Sequence, residues 1–337
     1  MAKGKSISGL DCSASAEEMI RLVLSAQVKT TCKLRDKALD WRDPEGVHQM
    51  RVISRRLRSA ISDFRPFLRR NKLPQAKLRV IADALGAVRD EDVALVALEA
   101  LQARANLEAA EGIALIVEEH RRRRKEARAN LKIHIKLSWI AEFREEFQAE
   151  LESLSLRHIK SATAAANADN SVPFRYIGRE IILARIKELR DASPNLYLPF
   201  HVEELHELRI LAKRLRYAVE LFSGCWQGIN DDAREIALLQ TSLGELHDCD
   251  VWLNSLGKRL RSLARRNKSD ETTRKLRAGG AWLIKHFAKE RTEHYRNAVT
   301  RWEEWQAASF LDRLQSTLER SPATRNSPAI KPDVTPS

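Results

Sequence analysis

A pattern of histidine, arginine and lysine occurs twice in this sequence. The two copies are VHQMRVISRRLR at residues 47–58 and LHELRILAKRLR at residues 205–216, an offset of 158 residues. On a helix that turns about 100° per residue, His48, Arg51, Arg55 and Arg58 fall within an arc of about 80°, with Arg56 on its flank. Arginine can donate two parallel hydrogen bonds to phosphate oxygens, and a nearby histidine can donate another. The spacing predicts a helix face that binds a phosphate-rich chain.

The alternative interpretation of such a charge run is a solvated helix face with acidic neighbours. The second copy repeats the histidine as His206 together with the cations Arg209, Lys213 and Arg216. Cations at these spacings destabilise an isolated helix by roughly 0.2 to 0.5 kcal/mol per pair, so that a compensating anion is expected. Repetition of the whole set favours an anion-binding face.

A second motif shares the same offset. It reads LGAVRDEDV at residues 85–93 and LGELHDCDV at residues 243–251. Two independent motifs with one offset indicate an internal duplication.

The carboxylates of the second motif are Asp90 and Asp92 in the first half, with Asp248 and Asp250 in the second. We predict that they pair with arginine residues and orient them. A histidine and two carboxylates could instead bind a divalent metal ion. Because the arginine residues around each histidine would repel a cation, we expect no metal and no cofactor.

The elements that must position these motifs are helices. Glycine and proline are sparse, with 12 and 10 residues, and apolar residues recur at helical spacing. The fold class is therefore predicted to be all-α. We expect four helices in each half, packed as a bundle. They cover roughly residues 16–41, 44–70, 74–104 and a long stretch after 107, with counterparts that begin near residues 173, 199, 231 and 274.

Breaks in this pattern predict the domain organisation. We expect a flexible N-terminus, a first four-helix half, a linker, a second four-helix half and a disordered tail. The predicted ranges are residues 1–15, 16–160, 161–172, 173–320 and 321–337.

The net charge of +13 indicates an anionic partner. No apolar segment is long enough to cross a membrane or to serve as a secretion signal, and we therefore expect a cytoplasmic protein. The four cysteines, which lie far apart without a C-x-x-C pair, are interpreted as reduced thiols.

Additional cations are weaker candidates for the anion site. The densest basic run, residues 121–125, would wrap all sides of a helix and is typical of a solvated segment, although one or two members could extend a groove. The residues proposed as additional contacts are Arg21, Lys29, Arg89, Arg121, Lys125, Arg179 and Lys187.

With both copies of both motifs, the sequence closely resembles the CHAD family, the conserved histidine α-helical domain. The resemblance covers about residues 10–320. It implies two four-helix bundles related by a pseudo-twofold axis, a basic central groove or channel, and binding of inorganic polyphosphate. The residues that it places at the ligand are His48, Arg51, Arg55, Arg56, Arg58, His206, Arg209, Lys213, Arg214 and Arg216.

Two details qualify the resemblance. Some family members carry a triphosphate tunnel domain with an E-x-E-x-K strand, which is missing here because Glu150-Leu151-Glu152 is followed by Ser153-Leu154. The chain therefore resembles the stand-alone form. His247 stands where the first half has Arg89, so that the two halves are unequal.

The function expected from the sequence is non-catalytic binding of inorganic polyphosphate, with targeting to polyphosphate granules as a further expectation. No phosphate-binding loop, nucleophile elbow or H-E-x-x-H helix is present. The alternatives are a basic nucleic-acid-binding protein and a metal-dependent enzyme that handles phosphate. The few aromatic residues lie at helical spacing, which disfavours stacking on nucleic acid bases.

Overall fold

The computed structural model describes residues 7–70, 72–157, 171–265 and 270–320. Within these ranges the chain forms eleven α-helices and no strands, which confirms the all-α prediction. The first half contains α1 (Ala16–Lys33), α2 (Arg35–Ala38), α3 (Glu45–Phe64), α4 (Gln75–Gln102), α5 (Leu107–His134) and α6 (Leu137–Glu152). The second half contains α7 (Phe174–Ala192), α8 (Val202–Leu221), α9 (Ile229–Arg265), α10 (Glu271–Ala307) and α11 (Phe310–Glu319).

The helices are more numerous than the four per half that the sequence predicts, because three of the predicted helices are interrupted. The first breaks at Leu34, and the long ones break near Ile135 and at Ser309, which has a left-handed φ of 48°. The helix predicted to reach residue 70 ends at Phe64, where Arg65–Phe67 form a short 3-10 turn around Pro66. Proline has no backbone N–H to continue the helical hydrogen bonds.

Among the described residues, the larger of two hydrophobic cores combines side chains from both halves. Phe64 of α3 lies against Phe174 of α7 and Phe222 after α8, with ring centroids 6.4 and 6.3 Å away. The same core includes buried side chains of α1, α4, α6 and α9. The buried residues therefore do not divide at the predicted linker, and helices of the two halves pack into one another.

A second core joins the distal parts of the four long helices α4, α5, α9 and α10. Here α5 and α10 approach closely at Gly112 and Gly279. A Cβ atom at Gly112 would lie 1.9 Å from the carbonyl oxygen of Lys275. This close backbone contact requires glycine and joins the two pairs of long helices.

The segment before α1 is held against the second half. The amide of Phe174 donates to the carbonyl of Ala14 at 2.9 Å, and Cys12 forms a disulfide with Cys225 after α8. This disulfide contradicts the expectation of four reduced thiols, although Cys32 and Cys249 are free. The two bonded cysteines are 213 residues apart, so their spacing carried no signal.

These contacts hold Cys12 and Ala14 in place, whereas the sequence predicts a flexible segment up to residue 15. Residues 1–6, most of the predicted linker and the tail from residue 321 lie outside the described residues. In the described ranges, no helix combines the length and the apolar character needed to cross a membrane.

Candidate functional site

The two copies of the basic motif lie on α3 and α8, which contact each other. Each helix buries its apolar side in the larger core, through Met50 and Leu57 on α3 and through Leu208 and Leu215 on α8. The basic side of each helix is consequently directed away from the core, as expected for an amphipathic helix.

Four cations from the two helices form one group, which we call the four-cation cluster: Arg51, Arg55, Arg209 and Lys213. Burial, and then the nearby Arg55 and Arg209, lower the pKa of Lys213 to about 8. Burial also lowers the pKa of Arg51. Asp90 raises this pKa, whereas Arg55 and Arg209 lower it further. The charged forms of Arg51, Arg209 and Lys213 are thus destabilised by burial and by neighbouring cations, and a bound anion would relieve this repulsion.

Carboxylates of the second motif accompany this cluster. Arg51 Nη2 donates to Asp90 Oδ1 at 3.2 Å. Burial raises the pKa of Asp248, while the nearby Arg209 lowers it. Each half therefore places one arginine of the first motif beside the first aspartate of the second motif.

The motif glycines lie beneath these arginines. Arg51 Nε would be 3.8 Å from a Cβ atom at Gly86, and Arg209 Nε would be 3.7 Å from one at Gly244. A Cβ atom at either position would make only ordinary van der Waals contact. The glycines leave the surfaces of α4 and α9 beneath the two guanidinium groups without side chains. The two repeated motifs are thereby brought together in space.

The motif histidines lie in unequal surroundings. Burial, and then Arg89, lower the pKa of His48. In the second half, His206 Nδ1 is 3.0 Å from Nδ1 of His247, and their ring centroids are 4.0 Å apart. Burial, and then His206 and Arg209, lower the pKa of His247 to about 4. At neutral pH this pair is uncharged, and one ring donates its Nδ1 hydrogen to the other.

The second aspartate of each motif binds a cation of the long helix that follows. Asp92 Oδ1 lies 3.3 Å from Arg128 Nη2 and 3.7 Å from Arg124 Nη1. Asp250 accepts from Arg291 Nε at 2.5 Å. These aspartates fix α5 to α4 and α10 to α9. They pair with arginine residues, as the sequence predicts, but these arginines lie outside the basic motif.

The sequence matches the CHAD domain family over residues 22–257, a range that contains both copies of both motifs. The chain belongs to the CHAD family. This confirms the resemblance inferred from the motifs. The CHAD family is linked to polyphosphate binding or handling.

Two solved structures share the CHAD fold of this chain. The crystal structure of the CHAD domain from the plant Ricinus communis has a TM-score of 0.60 and 22% identity, and the match covers 94% of this chain and 96% of that one. PptA from Streptomyces chartreusis has a TM-score of 0.64 and 16% identity, over 86% of this chain and 100% of that one. No significant match was found among curated proteins.

Two predicted site residues of this CHAD domain, Arg56 and Arg216, bind protein groups at the contact between α3 and α8. Arg56 Nη2 donates to Glu220 Oε2 at 2.6 Å, and Arg216 Nε lies 3.5 Å from Glu220 Oε1. Both guanidinium groups also lie over the Tyr217 ring, at 5.5 and 5.0 Å. Arg55 Nη2 donates to the hydroxyl of Tyr217 at 3.0 Å.

Sequence reasoning missed Tyr217 and Glu220 as parts of this site. Their counterparts at the repeat offset are Ser59 and Ser62, so that neither residue is repeated. A search for duplicated residues could not have found them.

The remaining candidates in the CHAD domain lie in several places. Arg89 is near His48, Arg58 and Lys29 are exposed, and Arg214 interacts with Asp63. Four others pair elsewhere: Arg21 with Glu17 and the carbonyl of Leu154, Arg121 with Glu99 and Glu118, Arg179 with Glu180, and Lys187 with Asp191. Lys125 lines a separate cavity on α5. In the part of the chain that is described, no three histidine, cysteine or acidic side chains are grouped to hold a metal ion.

Proposed function

We propose that this CHAD protein binds inorganic polyphosphate at the four-cation cluster without altering it chemically. The observation that carries the proposal is the convergence of two cations from α3 and two from α8, with the pKa of Lys213 lowered to about 8 by burial and by its cationic neighbours. A polyanion would supply the negative charge that this group of cations lacks.

A linear anion fits the arrangement better than a single phosphate. The residues from His48 to Arg58 span about 15 Å along α3, at a rise of about 1.5 Å per residue. The corresponding row on α8 lies beside it. Arg55 and Arg56 of α3 donate hydrogen bonds to Tyr217 and Glu220 of α8. A phosphate chain can contact successive cations along such a row, whereas a single phosphate ion contacts one or two.

Binding without catalysis is supported by the hydrogen bonds that reactive groups near the four-cation cluster make to its arginines. The carboxylate of Asp90 is paired with Arg51, and the hydroxyl of Tyr217 accepts a hydrogen bond from Arg55. Both groups are thus bound to arginine side chains of the four-cation cluster. These contacts favour holding the polymer over cleaving it.

Calorimetric titration with long-chain polyphosphate and with duplex DNA tests this function. At physiological salt and equal phosphate concentration, we expect saturable binding to polyphosphate and much weaker binding to DNA, with both affinities falling as salt rises. The polymer recovered afterwards, with or without Mg²⁺, should keep its chain length. Equal or tighter binding to DNA would support a basic nucleic-acid-binding surface, and shortened polymer would support an enzyme.

A further inference from the structure

A cavity of about 450 Å³ lies between α5 and the loop that precedes α3. Its volume is within the range of about 300 to 1,000 Å³ that is typical of small-molecule sites. Its polar and aromatic lining consists of Trp41, Arg121, Arg124, Lys125, Arg128 and Lys132.

The five cations share one face of α5. Relative to Arg121 they stand at positions +3, +4, +7 and +11, the spacing that places side chains along one side of a helix. Arg122 and Arg123 do not line the cavity, and they pair with Glu126 and Glu119. The basic run at residues 121–125 therefore does not surround α5 evenly. Its members Arg121, Arg124 and Lys125 line the cavity.

The cavity has an excess of positive charge. Arg121 is paired with Glu99 and Glu118, and a single oxygen of Asp92 serves both Arg124 and Arg128. Among the described residues, no carboxylate lies within ion-pair distance of either lysine of the cavity, Lys125 or Lys132. Five cations therefore face three carboxylates, and the two lysines are available to a ligand.

The remaining wall of the cavity is aromatic. The guanidinium carbon of Arg128 lies 5.1 Å from the centre of the Trp41 ring. This contact, together with the ion pair to Asp92, holds the Arg128 side chain in place. A fixed guanidinium loses little conformational entropy when it binds an anion.

The helix α4 separates this cavity from the four-cation cluster. Asp90 is directed to Arg51 of α3, whereas Asp92 is directed to α5. Two residues along a helix differ by about 200° in direction, so the two aspartates lie on opposite sides of α4. The cavity is consequently a separate site, and it goes beyond the function proposed for the cluster.

We propose that this cavity is a second anion site, which binds a short oligophosphate. Several phosphates in a compact group match a cavity that presents five cations, and two of these have no protein partner to give up on binding. The oligophosphate has two possible sources, a free molecule or one end of a long polyphosphate chain.

The test is calorimetric titration of the full chain with inorganic tripolyphosphate. The variant Lys125→Glu/Lys132→Glu removes the two unpaired cations without breaking an ion pair, and we expect at least tenfold weaker binding. The control Arg122→Glu/Arg123→Glu makes the same change of charge on the same helix outside the cavity, and we expect less than a threefold effect. Equal weakening by both variants, or no weakening by either, overturns the proposal.

Two further titrations separate this site from the cluster. Tripolyphosphate should still bind to the variant Arg55→Glu/Lys213→Glu, in which two cations of the four-cation cluster are replaced by glutamate. Complete loss of tripolyphosphate binding in this variant would overturn the second site. This result does not depend on whether the cluster binds polyphosphate. If protein saturated with long-chain polyphosphate still takes up tripolyphosphate, the ligand is a free oligophosphate. If it does not, the end of the long chain occupies the cavity.

Discussion

At the scale of single residues, the two halves differ within the second motif, where Arg89 of the first half is replaced by His247. His48 lies near a permanent cation, whereas His206 lies 3.0 Å from a second imidazole that is uncharged at neutral pH. The second half therefore holds less positive charge at pH 7 and can gain charge as the pH falls. The repeat comparison located this difference, but the contact between the two rings became visible only in the structure.

This difference predicts a pH dependence of polyphosphate binding. A bound polyanion stabilises the protonated form of His247, whose pKa is lowered to about 4 in the free protein by burial and by its neighbours. Binding then takes up protons, so that affinity rises as the pH falls from 7 to 5.5. The limit is about tenfold per pH unit for each proton taken up. Titrations at both pH values measure the effect.

The matched variant is His247→Arg, which gives the second half the arrangement of the first. It should bind more tightly at pH 7 and show a flatter pH profile than the unchanged protein. An affinity of the unchanged protein that does not vary over this pH range would contradict the role assigned to the histidine pair.

The same lowered pKa has the opposite effect on the free protein. An unfolded chain binds a proton at His247 near its ordinary pKa of about 6.5, whereas the folded chain binds it only near the lowered value. The contribution of this histidine to the free energy of unfolding is therefore fully present above about pH 6.5 and is lost as the pH falls towards 4. Ligand binding and folding consequently respond to acid in opposite directions.

At the scale of helices, the sequence predicts those that carry the motifs but not the interruptions of the longer ones. Apolar spacing and Pro44 locate the start of α3 at Glu45. The breaks at Leu34, Ile135 and Ser309 contain neither glycine nor proline. These helices end where the chain must turn to pack on its neighbours, and such tertiary packing overrides local preference. The absence of a local signal explains why each was predicted as one helix.

Ser309 offers a test of this explanation. It joins α10 to α11 with a left-handed φ of 48° and makes no side-chain capping hydrogen bond. Glycine adopts this conformation without strain, so Ser309→Gly should raise the free energy of unfolding by about 0.5 to 1 kcal/mol. Ser316→Gly, inside α11, should lower it by a similar amount. Chemical denaturation measures both, and destabilisation by Ser309→Gly would show that the strain is absent.

At the scale of the whole molecule, the four-cation cluster depends on packing between the halves. Arg51 and Arg55 come from α3 of the first half, and Arg209 and Lys213 come from α8 of the second. The motifs identify these residues from the sequence, but the packing between the halves comes only from contacts such as Phe64 with Phe222. The internal duplication and the continuous central groove stay predictions from the sequence and the family resemblance.

The second core provides a way to separate stability from binding. A methyl group at Gly112 would collide with the backbone of α10, so Gly112→Ala should lower the free energy of unfolding by about 1 to 3 kcal/mol. Gly224→Ala is the control, because no atom lies within 4 Å of a Cβ atom there. Since the cluster lies on helices of the other core, polyphosphate affinity should stay unchanged. Unfolding curves that are identical for both variants would contradict the close helix contact.

The most direct test of the central claim is to reverse the charge of the four-cation cluster from both helices. Arg55→Glu/Lys213→Glu is titrated with long-chain polyphosphate beside Arg79→Glu/Arg261→Glu, which makes the same change at two exposed positions outside the cluster. We predict at least a hundredfold loss of affinity in the first variant and less than a threefold loss in the second, with circular dichroism showing both to be folded. Equal affinity in the two variants would contradict the assignment of polyphosphate binding to this cluster.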